Sequence, residues 1–377
     1  MRRKYPFPHL RIPPKTLAVL RPLAEAAQRH RLPLYAVGGC VRDWLLGRKE
    51  VADLDLVTEG DPTRLARLAG RMLAARAEAF GGFGTLRVKG EGLRVDFAAA
   101  REEDYPEPAS LPKVRPASLE RDLFRRDFTI NAMAARLEPQ GAGALVDPYG
   151  GLRDLISGIL RVLHPASFRD DPTRVFRAAR FLCRFGLRPA AGLGAMVRES
   201  LTSRIAGRLS RHRIASELLR LLAEDDPSAP LRRLKAWGYL DLVHPDMPTR
   251  VRGVTVEDRL GSLTLAMGGK SEEFLRSLPV EHGLARRIGA ALHIARRKAA
   301  PRTPLPPGAA RIVSRAFPGL PKSALKPLFL DGGDLQSAGL KPGPEFCSLL
   351  DAAAREQWAG RIRSRRDARS WLKKRLK

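Results

Sequence analysis

Hydrophobic and polar residues follow two rhythms along this chain, and the rhythm changes before its middle. Between about Leu17 and His30, the apolar residues Leu17, Leu20, Leu23, Ala24 and Ala27 recur at helical spacing. The run Leu34-Tyr35-Ala36-Val37 predicts a buried strand. Val51-Ala52-Asp53-Leu54-Asp55-Leu56-Val57 alternates every second residue, as a half-buried strand does. Leu65 to Ala79 reads as a helix, and residues 85–88 with 93–98 read as a hairpin around Lys89-Gly90-Glu91-Gly92. Strands and helices alternate in this way to about residue 136. From residue 151 onward the helical period prevails, with basic faces over residues 175–185, 211–223 and 231–240. The Pro-rich stretch 301–308 reads as a linker or long loop between helical subdomains. No fixed-period repeat interrupts the pattern. The fold class expected is α+β, a mixed sheet with helices followed by helical regions.

Chemistry enters where the first strand ends. Gly38 and Gly39 follow the apolar run directly, and glycine lets backbone N–H groups approach phosphate oxygens without an intervening Cβ. Arg42 adds a planar, permanently charged fork. Asp53 and Asp55 sit two apart on a strand, so they share one face while Leu54 and Leu56 take the other. Two carboxylates that close repel unless a cation lies between them, and hard oxygen donors suit Mg²⁺. Asp96, in the strand-like Leu93-Arg94-Val95-Asp96-Phe97, supplies a third carboxylate for a two-metal phosphoryl or nucleotidyl transfer site. Each fragment alone has an ordinary reading: Gly-Gly as a turn, Asp-x-Asp as a solvated strand edge. Their order along the chain favours the catalytic one.

Charge widens the picture. Lys and Arg number 68 against 40 Asp and Glu in 377 residues, a formal net charge of +28. Such an excess invites a polyanionic partner, nucleic acid first. The segment from Arg361 to the end concentrates it, with Arg361, Arg363, Arg365, Arg366 and Arg369 beside Trp371 and only Asp367 opposing. It reads either as a solvated helix face or as an RNA-backbone contact. Hydrophobic residues make up 44%, enough for real cores. The three cysteines, Cys40, Cys183 and Cys347, are far apart and odd in number, which supports neither a disulfide framework nor a cysteine zinc site. No apolar run reaches membrane-span length, and Met1-Arg2-Arg3-Lys4-Tyr5-Pro6 lacks the apolar stretch of a signal peptide. A reduced, cytoplasmic protein without a membrane partner is expected.

Three further motifs lie between residues 125 and 181. Arg125-Arg126-Asp127-Phe128-Thr129-Ile130-Asn131-Ala132-Met133-Ala134 packs two guanidinium forks, a carboxylate and an amide beside an apolar stretch. Asp147-Pro148-Tyr149-Gly150-Gly151 reads on its own as a turn into a helix. Asp170-Asp171-Pro172-Thr173-Arg174 opens a helix with a cap and first-turn proline, and brings Asp171 and Arg174 to one face.

The ordered set over roughly residues 33 to 222 resembles the bacterial-type (class II) tRNA nucleotidyltransferase and poly(A) polymerase family. A weaker element, Arg208 to Leu218, resembles that family's helix buttressing the nucleotide site. The resemblance implies a polymerase-β-like nucleotidyltransferase head over residues 1–145, a helical neck that recognises the base over 146–225, and a tRNA-binding helical body and tail over 226–377. It implies Mg²⁺ at Asp53 and Asp55, triphosphate contacts from Gly38, Gly39 and Arg42, and ribose contacts from Arg126, Asp127 and Asn131. Asp171 and Arg174 would read the base, with Arg177 and Arg180 on the same helix also in nucleotide contact. Cytosine and adenine each present an amino group beside a ring-nitrogen acceptor, which suits a carboxylate paired with a guanidinium; UTP and GTP would meet acceptor against acceptor. Residues 101–123 correspond to the family's loop that helps switch from C to A addition.

The activity expected is template-independent addition of C and A from CTP and ATP to the tRNA 3′ acceptor end, releasing pyrophosphate. Relatives that add only A, only CC, or a poly(A) tail share every motif above. A binding protein that kept the fold and lost catalysis is the reading from another class, opposed by the intact Asp53, Asp55, Arg126 and Asp171. The sequence leaves the oligomeric state open.

Overall fold

The computed structural model describes residues 10–49, 52–90 and 92–376; Met1–Pro6, Val51, Glu91 and Lys377 lie outside them. The chain forms two compact units that divide between Arg208 and Leu209.

The first unit is built on a seven-stranded mixed sheet. Its strands are β1 (Leu34–Val37), β2 (Asp53–Thr58), β3 (Ala77–Phe80), β4 (Thr85–Gly90), β5 (Leu93–Ala99), β8 (Ala134–Glu138) and β9 (Gly141–Val146), in the order β3-β4-β5-β2-β1-β8-β9. Between β5 and β8 run β6 (Arg101–Asp104) and β7 (Lys113–Pro116), which pair only with each other. The segment expected as a loop is therefore a small hairpin leading into a helix. The helices are α1 (Pro14–Arg29), α2 (Gly39–Leu45), α3 (Thr63–Met72), α4 (Leu119–Phe124), α5 (Gly151–Ser157), α6 (Ser167–Asp170), α7 (Thr173–Arg184) and α8 (Leu193–Thr202).

The alternation read in β2 is realised: Leu54 and Leu56 are buried, while Asp53 and Asp55 are exposed. β2 lies antiparallel to β1 and parallel to β5, in a register that sets Asp55 opposite Asp96 and Asp53 opposite Arg94. The predicted hairpin is β4–β5, paired from Gly90 and Leu93 outward. One expectation fails. The helix expected over 65–79 stops at Met72, because Ala74 takes a left-handed conformation (φ 48°) and Ala77–Phe80 pairs as an edge strand with β4. Apolar spacing continued through this stretch, but sheet pairing captured its second half.

The motif at 147–151 is a structural joint. Both carboxylate oxygens of Asp147 accept backbone N–H groups, from Gly151 at 2.7 Å and Leu152 at 2.9 Å. A Cβ at Gly151 would stand 2.2 Å from the carbonyl oxygen of Thr129, so only glycine lets α5 approach the 125–134 string so closely.

The second unit is helical: α9 (Arg211–Leu222), α10 (Ser228–Ala236), α11 (Val256–Ala266), α12 (Ser271–Ser277), α13 (His282–Arg297), α14 (Ala309–Ala316), α15 (Gly332–Ser337), α16 (Pro344–Trp358) and α17 (Arg365–Arg375). The helix expected over 231–240 ends at Ala236, and a single 3-10 turn, Leu240–Leu242, follows. The Pro-rich stretch is irregular, as read, and is pinned where Leu328 N–H donates to Pro301 and Ala300 N–H to Ala354. Asp258, fully buried in α11, accepts from Arg311 at 2.6 Å and from Arg315, and closes a capping box with Thr255. Burial alone would raise its carboxyl, yet hydrogen bonds from Arg311 and Thr255 and the charge of Arg315 bring it down to about 2.

Two outcomes follow from these joints. Gly151→Ala should lower stability by about 1–3 kcal/mol, the usual cost of overpacking, with Gly207→Ala near neutral in the same thermal melts; equal melting temperatures would contradict the close approach. Asp258 is held below its unfolded value, so its stabilisation is complete above about pH 4 and is lost as pH falls toward about 2. Urea unfolding at stepped pH should show that loss in the parent chain and a weaker one in Asp258→Asn.

Candidate active site

The glycine pair closes β1. Gly38 adopts φ 75°, a left-handed conformation that favours glycine, and its N–H donates to the Met133 carbonyl at 3.0 Å. A Cβ there would lie 2.8 Å from Arg126 Nη1, so the guanidinium rests directly against the turn. Arg126 is held from behind by Asp122, whose Oδ2 it reaches at 2.8 Å. Sequence reading missed Asp122. It is completely buried and also carries Arg125 on Oδ1, at 2.9 Å from Nε and 2.7 Å from Nη2. Its spacing of three and four residues from the two arginines was the available signal.

Asp53 and Asp55 project together from β2. Asp53 pairs with Arg94 at 3.1 Å and keeps 61% of its side chain exposed. Asp55 also reaches solvent, but its carboxyl is raised above the usual range. Lost hydration in dense surroundings is the first cause, followed among the raising effects by the like charges of Asp96 and Asp53; Arg126 and Arg94 pull the other way. Two hard oxygen donors side by side on one strand face are a setting that a divalent cation fits.

Asp96 is differently placed. Its two oxygens accept Arg87 Nε and Nη2, each at 2.7 Å. The strands pair outward from Gly90 and Leu93, which puts Arg87 opposite Asp96, whereas a turn over 89–92 would have put Arg87 opposite Arg94. Among the described residues no group of three or more His, Cys, Asp or Glu side chains is arranged to hold a metal ion. Cys40, beside the glycine pair, donates to the Val37 carbonyl, and its thiol is pushed up to about 12 by burial and then by the Asp55 charge. It therefore stays protonated near neutrality.

Arg42 does not face solvent. Only 5% exposed, it donates Nη1 to Asn131 Oδ1 and reaches Asp43 at 3.0 Å through Nε. The Phe185 ring lies 4.4 Å from its guanidinium carbon. Asn131 in turn donates to Asp127 at 3.0 Å, and Arg177 donates Nε to Asp127 at 2.7 Å. Burial alone would raise Asp127, but Arg177 and Asn131 outweigh it and hold the carboxyl below its usual range.

At the start of α7, Asp171 accepts the Thr173 N–H at 2.9 Å and its hydroxyl at 2.5 Å. Arg174 is 5% exposed, with its plane fixed by Ser167 Oγ and the Arg125 carbonyl, each at 2.8 Å. Arg180 is largely buried, its guanidinium 5.0 Å from the Phe181 ring centre. The structure thus brings Asp171, Arg174, Asp127 and Arg177 into one connected neighbourhood, and Arg126, Gly38 and Asp55 into another.

Most of the basic C-terminal segment is a helix, α17, capped by Ser364, with Arg361 and Arg363 just before it. Three of its named arginines meet carboxylates from elsewhere in the second unit. Arg361 pairs with Glu356, Arg365 with Asp331 and Asp334, and Arg369 with Asp334 at 2.9 Å. Arg363 reaches the Gly360 carbonyl, while Arg366, Lys373 and Lys374 lie exposed. No described helix is long and apolar enough to cross a membrane.

Residues 34–161 match the family described as the poly(A) polymerase head domain. An A-adding tRNA nucleotidyltransferase of Geobacter sulfurreducens is 40% identical over 63% of this chain, but this match spans 27% of that protein. Across three A-adding relatives the chain spans 23 to 52% of their length. A CC-adding tRNA nucleotidyltransferase of Deinococcus radiodurans is 34% identical, over 90% of this chain and 88% of the relative. The structure of the Thermotoga maritima CCA-adding enzyme complexed with tRNA superposes with a TM-score of 0.64 at 26% identity, covering 97% of each chain. With the glycine turn, the paired aspartates and the 125–134 string arranged as above, this chain belongs to the tRNA nucleotidyltransferase and poly(A) polymerase head family.

Proposed function

We propose that this chain adds nucleotides to the 3′ end of tRNA and that AMP from ATP is the unit it adds. The observation that carries nucleotidyl transfer is the exposed Asp53–Asp55 pair on one face of β2, beside the Gly38 turn and the Arg126 that rests on it. Asp53 and Asp55 would hold Mg²⁺, which when bound supplies positive charge for the triphosphate and lowers the pKa of an attacking hydroxyl. Asp96, held by Arg87 on both oxygens, would join them through its remaining lone pairs. Arg126 lies near enough to Asp55 to share its field and can meet phosphate charge at the turn. Asp171 accepts from the adenine amino group and Arg174 donates to the adjacent ring nitrogen, so a base with a carbonyl at that place leaves acceptors unpaired.

Full CCA addition, expected first from the motifs, yields here to A addition. The A-adding names belong to relatives 40 to 44% identical over 52 to 63% of this chain. CC addition is the second reading, favoured by the nearly end-to-end match to the Deinococcus radiodurans protein. We further propose the head, neck and tRNA-binding body and tail over 1–145, 146–225 and 226–377, and a cytoplasmic setting. In α17 and the residues just before it, the RNA-facing set is Arg363 and Arg366 with Lys373 and Lys374, because Arg361, Arg365 and Arg369 are partly neutralised.

Incubation with tRNA ending in CC, and with tRNA lacking CCA, decides the output by product sizing. ATP should extend the first by one residue, and CTP should leave the second unchanged; CTP incorporation would overturn A addition. Asp53→Asn should abolish extension and leave tRNA binding intact, so surviving extension would remove the metal assignment. Replacing Arg366, Lys373 and Lys374 by Ala should reduce the slope of log affinity against log salt by about 2 to 3, at roughly 0.7–0.9 per phosphate contact. Arg365→Ala with Arg369→Ala should lower the melting temperature and change that slope less.

A further inference from the structure

We infer that Phe80 is a stacking platform for a base near the 3′ end of the acceptor RNA. The inference rests on the reading that this chain extends an RNA, and it adds a contact for the end that reacts.

Strand pairing sets the ring on the face of the two aspartates. Asp55 lies opposite Asp96 across β2 and β5, Asp96 opposite Arg87 across β5 and β4, and Arg87 opposite Glu78 across β4 and β3. Residues directly opposite share a face, as do residues two apart along a strand, so Phe80 stands on the face that carries Asp53 and Asp55. Val88 and Val95, on the reverse face, are buried. β3 is an edge strand, three strand spacings or about 14 Å from β2.

The ring is held on one side and open on the other. The Arg87 guanidinium carbon lies 3.1 Å from its centre, and Asp96 grips the same guanidinium through two hydrogen bonds of 2.7 Å. A cation fixed over the ring in this way sets its plane. Yet Phe80 is 49% exposed, and among the described residues it is the one large hydrophobic residue of this sheet left so open. A Cβ at Gly81, Gly82 or Gly84 would meet nothing within 4 Å, so the turn that follows leaves room beside the ring. Lys89 and Arg94 lie exposed and partly exposed on the same face. A flat apolar surface with cations beside it suits a base and its phosphate.

Reaction geometry points to the acceptor as the occupant. Transfer in line sets the attacking oxygen and the leaving pyrophosphate on opposite sides of the reacting phosphorus. The Gly38 turn, where the triphosphate is proposed to sit, closes β1, which borders β2 on one side. On the other side β5, β4 and β3 follow in order. The acceptor hydroxyl therefore arrives from the β5 side, and the RNA behind it runs toward β3.

Filter binding and extension of tRNA ending in CC, with the full chain, test this. Phe80→Ala should weaken tRNA binding about tenfold, within the usual worth of one stacked base, and leave the KM for ATP unchanged. Phe80→Trp should bind as the parent does, whereas Phe80→Leu, apolar but without a π-face, should fail as Ala does. Among tRNAs that each lack one of the last three bases but keep its ribose, one should bind the parent about tenfold more weakly and bind Phe80→Ala with no further loss. Rescue by Leu, or additive losses on every abasic tRNA, would overturn the inference. So would a dimer that dissociates in Phe80→Ala while tRNA affinity holds, because a second copy would then be the occupant. Should Phe80→Ala melt early, the added emission of Phe80→Trp gives the readout. Intact tRNA should quench it and the matching abasic tRNA should not; equal emission with both would count against stacking. If Phe80→Ala loses tRNA affinity but the parent extends no tRNA, the proposed function fails and the platform stands. If the parent extends tRNA and Phe80→Ala binds it unchanged, only the platform fails. If the parent binds no tRNA, both fail.

Discussion

Asp122 has no exposed surface, yet it holds two guanidinium groups, one on each oxygen, and aims one of them at the glycine turn. An unpaired carboxylate in that position would be driven to its neutral form by lost hydration. Paired on both sides, its carboxyl sits below the usual range despite burial. The same construction recurs wherever the chain must fix a joint. Asp154 receives Thr129 and Arg161, Asp258 receives Arg311 and Arg315, and Asp334 receives Arg365 and Arg369. A chain with a net charge of +28 has few carboxylates to spend on surfaces, and several of them are buried beneath arginines.

Against this habit, Asp53 and Asp55 stand apart. They project from one exposed face of β2, an interior strand, where Arg94 pairs with Asp53 and both Arg126 and Asp96 act on Asp55. The carboxylates of Asp96, Asp122 and Asp127 around them each accept hydrogen bonds from an arginine. The β2–β5 register produces the arrangement, because parallel pairing sets Asp55 beside Asp96 and the backbone alternation turns Leu54 and Leu56 inward.

Local patterning carried much of the sequence reading. β2, the β4–β5 hairpin and α9 were legible from periodicity, β1 from its unbroken apolar run, and α7 from its apolar spacing although it is buried nearly all round. The break at Met72 was not, because the residues after it favour a helix locally and join a sheet edge only through a partner strand. Arg42 read as a phosphate fork from its neighbours in sequence; its burial against Asn131 and Phe185, which lie 89 and 143 positions further along the chain, was not legible there. The C-terminal arginines read as one basic block; their carboxylate partners come from α15, α16 and the loop before α15.

The sequence by itself determined which chemistry is present: two glycines after a strand, two aspartates on one strand face, and a 125–134 string specific enough to name a family. It did so because turns, alternation and helix spacing are set by neighbours within a few residues. Tertiary structure alone decided which charges remain available. Arg87 takes both oxygens of Asp96, Arg177 and Asn131 bond to Asp127, and Asp334 draws in Arg365 and Arg369. Charge is a property of composition, but its neutralisation depends on which groups the fold brings within hydrogen-bond distance.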